Sequence, residues 1–293
     1  MISVAIPTLN GAAELDRTLA AVRRQTVEAE VVVLDSSSTD GTPEVAARHG
    51  ATVHVIPRAE FGHGRSRNRL MELASGDRVA FLTQDAEPAD GRWLERLLAS
   101  DAALACGPYL PRPDASRPVR RDLHDWFARM PEARTFTASD LGDPPMPGPA
   151  TFASSANLCL ARAAWRAVPF RDVAYAEDQR LVLDLLRAGH AKAWVPDAAV
   201  LHSHDYRPLE QLRRSFDEAR ALHELYGWTA PAAPRGVLGT IRAEVRKDRA
   251  FAPGGTAASL GYHAARALGA ALGTRAARLP PPVRRRLSLE GRP

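Results

Sequence analysis

The stretch Arg78-Val-Ala-Phe-Leu-Thr-Gln-Asp-Ala-Glu-Pro88 decides how the chain is read. Val79 to Leu82 is a short apolar run of the kind a buried strand uses. It ends in Thr83, Gln84, Asp85, Ala86 and Glu87, and Pro88 stops it, because proline has no N–H to give a ladder. A carboxylate is thereby set at the C-terminal end of a buried strand, where open α/β sheets bind ligands. A polar turn that merely closes a strand would read the same way, so the rest of the chain has to decide.

On the N-terminal side, strand-like runs alternate with helical ones. Ile2 to Ile6, Glu30 to Leu34 and Thr52 to Ile56 read as strands; Glu14 to Arg24, Thr42 to His49 and Arg65 to Ser75 read as helices. Thr42 has the chemistry to cap its helix. This alternation predicts an α/β fold with a mostly parallel central sheet flanked by helices, its polar strand tips on one edge. Neither G-x-G-x-x-G nor G-x-x-x-x-G-K-[ST] occurs, which argues against a Rossmann dinucleotide site and a P-loop.

Beyond Gly107, the proline-rich segment from Pro108 to Pro149 shows one amphipathic piece, Leu123 to Met130, and reads as a flexible cover over a cleft. Order returns from Thr151 to Leu160, with helices from Ala164 to Val168, Glu177 to Ala188 and Pro208 to Tyr226. Strands at Lys192 to Val195 and Ala199 to Leu201 lead into His202-Ser-His-Asp-Tyr206. Three parts are expected: 1–107 and 108–230 as halves of one domain, and 231–293 as a basic helical C-terminal extension.

The 293 residues suffice for one large domain or two ordinary ones. The net charge of +5 is uneven: from Arg235 onward the balance is +9, against −4 before it. Stripes of Val237, Leu238, Ile241 and Val245, then Leu260, Ala264, Leu268 and Leu272, make this tail either a basic amphipathic membrane contact or a helical pair packed on the domain. Nucleic acid is disfavoured, since aromatic residues are not interleaved with basic ones. Cys106 and Cys159 have no metal spacing and read as reduced core thiols. No signal peptide pattern and no apolar run of about 18 residues is found, so a cytoplasmic location is expected.

Several motifs, taken together and in order over about residues 2 to 220, resemble the inverting glycosyltransferases of family 2, which have a GT-A fold. They are Pro7-Thr-Leu-Asn10, the run from Val32 to Asp40, Thr83-Gln-Asp85 and Glu177-Asp178. The rhamnosyltransferase-like branch is resembled more closely still. That match rests on Glu60-Phe-Gly-His-Gly64 with Arg67-Asn68, Phe152-Ala-Ser-Ser-Ala-Asn157, His202-Ser-His204 and Arg213-Arg-Ser-Phe-Asp217. Three positions depart from the pattern. Thr83 replaces the first aspartate of Asp-x-Asp, Gly62 stands where asparagine is usual, and Gly107-Pro-Tyr-Leu-Pro111 replaces Gly-Arg-Gln-x-Pro.

The resemblance implies transfer of a sugar from a dTDP-, UDP- or GDP-sugar, with dTDP-rhamnose the best reading, to a glycan or lipid-linked acceptor. It implies Mg²⁺ or Mn²⁺ held by Asp85 with His204, because a divalent cation offsets the charge of a departing diphosphate. Pro7, Thr8, Asn10, Asp35 and Ser37 would line the base and ribose, and Asp40 is either a ligand contact or a helix cap. His63, Arg65 and Arg67, at a helix start, would meet the diphosphate, and Gln84 is a further candidate for binding the donor. Asp178 would be the general base with Glu177 beside it; their place at a helix start also suits the helix dipole. Rival readings are a sugar-nucleotide nucleotidyltransferase, whose glycine-rich first loop is lacking here, and a non-catalytic nucleotide-sugar binder.

Overall fold

The computed structural model describes residues 1–252 and 254–291; Pro253, and Arg292 and Pro293 at the end of the expected basic extension, lie outside the described residues. From the N-terminus run β1 (Ile2–Thr8), α1 (Ala12–Arg23), β2 (Glu30–Asp35), α2 (Thr42–Arg48), β3 (Thr52–Val55), α3 (His63–Leu73), β4 (Arg78–Phe81), β5 (Glu87–Pro88), α4 (Trp93–Leu98), β6 (Leu104–Cys106) and β7 (Tyr109–Leu110). There follow α5 (Arg117–Phe127), β8 (Arg134–Phe136), β9 (Leu158–Ala161), α6 (Arg162–Ala167), α7 (Glu177–Arg187), β10 (Lys192–Trp194), β11 (Val200–Leu201), α8 (Pro208–Tyr226), α9 (Pro234–Phe251), α10 (Thr256–Gly273) and α11 (Pro281–Leu287).

Alternating side chains explain the layers. On β1, Val4 and Ile6 enter one apolar cluster and Ala5 the other; on β4, Ala80 faces the first and Val79 and Phe81 the second. Leu15, Leu19 and Val22 of α1 and Trp93, Leu94 and Leu97 of α4 cover one face of the sheet. Leu70 and Met71 of α3 and Leu181, Val182, Leu185 and Leu186 of α7 cover the other. Burial of each such side chain contributes about 1.5–3 kcal/mol.

The eight-stranded sheet has the order β3-β2-β1-β4-β9-β6-β10-β8. Its first four strands are parallel, and Thr8 sits level with Asp35 at their C-terminal edge. The later half is mixed: β9 runs antiparallel between β4 and β6, β10 is parallel to β6, and β8 is antiparallel to β10. A second sheet, ordered β5-β11-β7, lies where the strand tips open. Pro88 both follows the end of β4 and occupies the outer strand of this small sheet, where a missing N–H is tolerated.

Three local features differ from the sequence expectation. Thr42 is the first helical residue of α2, after Gly41 with φ of 86°, and makes no side-chain cap. The segment after Pro108 carries α5, with Pro118 in its first turn, where proline suits a helix. Arg121 of α5 is 3% exposed and ion-paired with Asp122, Asp125, Glu244 and Asp248, while Arg117 donates to the Ala252 carbonyl and Ser259 Oγ. These contacts fix α5 to α9 and α10, so this part of the expected flexible cover is held in place.

The tail packs on the domain through residues other than the expected stripe. On α10, Leu260 and Leu268 are exposed, and the packed face carries Ser259, His263, Ala265, Gly269 and Gly273. A β-carbon on Gly269 would stand 2.3 Å from the Leu212 carbonyl oxygen, and one on Gly273 2.3 Å from that of Phe216. The two glycines let α10 lie directly against the backbone of α8. Gly269→Ala is expected to cost about 1–3 kcal/mol through overpacking. Gly261→Ala, which meets open space, is expected to raise stability by roughly 0.5–1 kcal/mol. Thermal unfolding of the two variants checks this, and equal shifts would refute the close contact.

Candidate active site

The small sheet places the first group of residues. Its antiparallel register pairs Leu201 with Glu87 and Val200 with Pro88, so the residues before Glu87 face those after Leu201. Asp85 Oδ2 lies 3.5 Å from His202 Nδ1 and 3.4 Å from His204 Nε2. The ligand atoms of all three fall within 4.8 Å of one another. Ligand atoms about 2.1 Å from one cation stand roughly 3–3.5 Å apart, so the spacing fits a divalent ion. Burial pulls His202 down to about 4 against the opposing pull of Asp85, which leaves the ring neutral and able to present a lone pair. Its Nδ1 is buried without a hydrogen-bond partner among the described residues. A carboxylate and two imidazoles suit Mn²⁺ better than Mg²⁺, which prefers an all-oxygen shell. Arg112 adds a guanidinium hydrogen bond to the Asp85 carbonyl. His204 stacks on Tyr206 with centroids 5.2 Å apart, and Tyr109 meets His202 edge-on at 5.7 Å.

A second group gathers at the tips of β1 and β2. Asp35, fully buried, accepts from Thr8 Oγ1 at 2.9 Å, Ser38 N at 2.8 Å and Ser38 Oγ at 2.6 Å. Pro7 lies on β1 level with Leu34. Asn10 (φ 46°) and Ser37 (φ 61°) are left-handed; Asn10 Oδ1 accepts from Thr39 N, and Ser37 Oγ donates to the Ile56 carbonyl. Asp40 accepts from the N–H and hydroxyl of Thr42 and from the N–H of Ala12, so it ties together the starts of α1 and α2. The Gln84 amide is likewise occupied: it accepts from Leu9 N at 2.8 Å and donates to Leu9 O at 3.1 Å.

The third group joins α3 to α7. Arg67 NH1 and Glu177 Oε1 are 3.1 Å apart, with both side chains about 95% buried. Ser155 donates its hydroxyl to Glu177 and its N–H to Asp178. Burial alone would raise the Glu177 carboxyl, but Arg67, with help from His63, holds it below its ordinary value. Burial, and then the Glu177 charge, push Asp178 up to about 6. Ala176, just before the pair, is left-handed at φ 60°, a strained conformation for a residue with a β-carbon. Arg65 lies outward, 3.1 Å from Asp172. His63 Nε2 is 2.8 Å from Glu290 of the C-terminal segment. Asn157, in the polar run from Phe152, bonds to Trp93, Pro108 and Ala198 and serves the framework.

The geometry thus brings Asp85, His202 and His204 into one cluster, Thr8 and Asp35 into another, and Arg67, Glu177 and Asp178 into a third. Arg65 and Asp40 stand apart, each bound to other parts of the chain. Sequence reasoning left out Arg112, Tyr109 and Glu290, and placed His204 but not His202 in the metal shell. The H-x-H spacing could have suggested both histidines; nothing in the sequence points to Glu290.

A mixed sheet with its ligand residues at the open strand tips is the GT-A architecture. The mannosyltransferase PcManGT from Pyrobaculum calidifontis, solved with GDP-Man and Mn²⁺, matches with a TM-score of 0.62 at 18% identity, over 94% of this chain and 86% of that one. Glucosyl-3-phosphoglycerate synthase from Mycobacterium tuberculosis, solved with UDP, gives 0.53 at 24% identity, over 80% and 82%. Residues 3–153 match the model of glycosyl transferase family 2, and the chain belongs to that family. It is 31% identical over 222 residues to the O-antigen chain rhamnosyltransferase WbaN of Salmonella anatum, covering 72% of this chain and 69% of that protein. It is 28% identical to RfbN, an O-antigen chain rhamnosyltransferase of Salmonella typhimurium, over 74% and 70%.

If the three-residue cluster holds a cation, His202→Ala is expected to weaken Mn²⁺ binding at least tenfold without unfolding the chain. Titration calorimetry with Mn²⁺ tests it, and an unchanged affinity would remove His202 from the shell.

Proposed function

We propose that this family 2 glycosyltransferase moves rhamnose from dTDP-rhamnose, with inversion, to a saccharide or lipid-linked acceptor. The observation that carries the transfer reading is the pairing of a cation-ready cluster with a raised carboxyl at the head of α7. The two Salmonella relatives, both O-antigen chain rhamnosyltransferases, support rhamnose as the sugar. A UDP- or GDP-sugar remains the competing donor, since fold neighbours were solved with GDP-Man and with UDP.

In this reading Thr8 and Asp35 hold the base, with Pro7, Asn10 and Ser37 around the ribose. Asp85, His202 and His204 hold Mn²⁺ or Mg²⁺, which when bound offsets the charge of the diphosphate leaving group. His63 and Arg67, at the start of α3, border the diphosphate region, while Arg65, paired with Asp172, points away from it. Arg67 also keeps Glu177 ionised, and Glu177 sets the proton affinity of Asp178. Asp178 takes the proton of the acceptor hydroxyl as its oxygen bonds to the anomeric carbon. The bond from that carbon to the diphosphate oxygen breaks, and its electron pair leaves with the nucleoside diphosphate.

Among the described residues no helix is long and apolar enough to cross a membrane. Leu238 and Phe251 of α9 and Leu260 and Leu268 of α10 are exposed beside many arginines. That mixture suits the surface of an anionic bilayer and supports a peripheral membrane contact and a lipid-linked acceptor.

Asp178→Asn is expected to lower turnover by roughly 10²–10⁴ while leaving nucleoside diphosphate binding intact. The base works only when ionised, so wild-type kcat is expected to fall as pH drops through about 6. Glu177→Gln removes a charge that raises Asp178, and should move this acid limb to lower pH. Rate profiles from pH 4.5 to 8, with dTDP-, UDP- and GDP-sugars compared, test the base and the donor separately. A flat profile in the wild type would count against Asp178.

A further inference from the structure

The C-terminal segment returns to the site from 227 residues away in sequence. Glu290 Oε2 is 2.8 Å from His63 Nε2, and its Oε1 is 3.7 Å from an Arg214 guanidinium nitrogen. Arg214 is itself fixed, with its guanidinium 4.4 Å over the ring of Tyr175. The backbone behind Glu290 is pinned as well: Asp217 Oδ2, fully buried, accepts the N–H groups of Leu289 at 2.7 Å and Glu290 at 3.2 Å. A carboxylate set between an imidazole and a guanidinium has the chemistry of a bound phosphate oxygen.

We infer that His63 and Arg214 form an anion subsite which Glu290 fills from within, and that a phosphate of the donor enters by displacing that side chain. This rests on reading the site as one for a nucleoside diphosphate. The location supports it: the His63 carbonyl accepts from Arg67 at 2.9 Å, and Arg67 is the partner of Glu177. Burial would raise the Glu290 carboxyl, but His63 and Arg214 outweigh burial and keep it ionised, while the Glu177 charge works against it. The occupant is therefore held by an imidazole and a guanidinium and opposed by the Glu177 charge, so a phosphate oxygen can take its place. With Leu289 and Glu290 anchored by their backbone, only the Glu290 side chain has to swing. A single free phosphate would have to compete with this tethered carboxylate at one point. A diphosphate that also bound a divalent cation held by Asp85, His202 and His204 would compete at two. The internal carboxylate thus favours metal-bound diphosphates over simpler anions.

The test compares full-length wild type with Glu290→Gln and with a chain ending at Ser288. Titration calorimetry with Mn²⁺ measures dTDP, UDP, GDP and inorganic pyrophosphate. If the subsite is filled 80–90% of the time, freeing it is expected to lower Kd about five- to tenfold in both variants. An unchanged or higher Kd in Glu290→Gln, with wild type still binding nucleotide, overturns the inference and leaves Glu290 as a support for His63. Tighter pyrophosphate binding in the variants, with no nucleotide bound by any form, keeps the anion subsite and removes the nucleotide-sugar reading. No binding of any probe by any form overturns both.

Discussion

Two backbone pairings, Val200 with Pro88 and Leu201 with Glu87, hold together residues more than a hundred positions apart. Without this short ladder, Asp85 would be a turn residue after β4, and His202 and His204 would lie in a loop. With it, a carboxylate and two imidazoles converge, and burial strips the proton from His202. The rest of the fold carries this ladder. The large sheet fixes the end of β4, and β11 is further bound to β7 on its other side. The Asn157 side chain, bonded to Pro108 and Ala198, ties the approach to β7 to the approach to β11.

The other half of the site is organised by charge. A buried ion pair is sensitive to the loss of one partner, because the remaining charge has nowhere to go, and such a loss commonly costs about 3–5 kcal/mol. Arg67 and Glu177 form such a pair across α3 and α7. Its consequence reaches Asp178: an ionised neighbour and a dry setting together raise its proton affinity into the range a general base uses near neutrality. The same two helices bury Leu70, Met71, Leu181 and Leu185 in one apolar cluster, so packing sets the distance at which these charges interact.

Much of this was legible in the chain. Apolar runs of four to seven residues ending in polar turns gave the parallel half of the sheet, because buried strands and their tips have a strong compositional contrast. The motif residues Asp35, Asp85, Glu177 and Asp178 stand at strand and helix ends as their neighbours suggest. Three features were not legible, each for a stated reason. A mixed, mostly parallel sheet was expected, but which later strands reverse, β9 and β8, could not be read, because strand direction is set by distant partners that local pattern does not encode. On α10 the leucine stripe left a membrane contact and a packed face equally open, and nothing in it showed that Gly269 and Gly273 would pack while Leu260 and Leu268 face out, because backbone approach was the governing constraint. The pairing of Arg121 with acids from α5 and α9 was invisible because nothing in the run from Arg117 to Arg121 tells which arginine is buried or which distant acids it meets.

The position of β1 has a practical outcome for handling the molecule. This seven-residue strand lies between β2 and β4, and its start and finish are roughly 20 Å apart. Met1 therefore emerges from the rim of the sheet opposite the one that carries Thr8 and Asp35. An affinity handle, dye or surface tether joined at the amino terminus projects away from the working face.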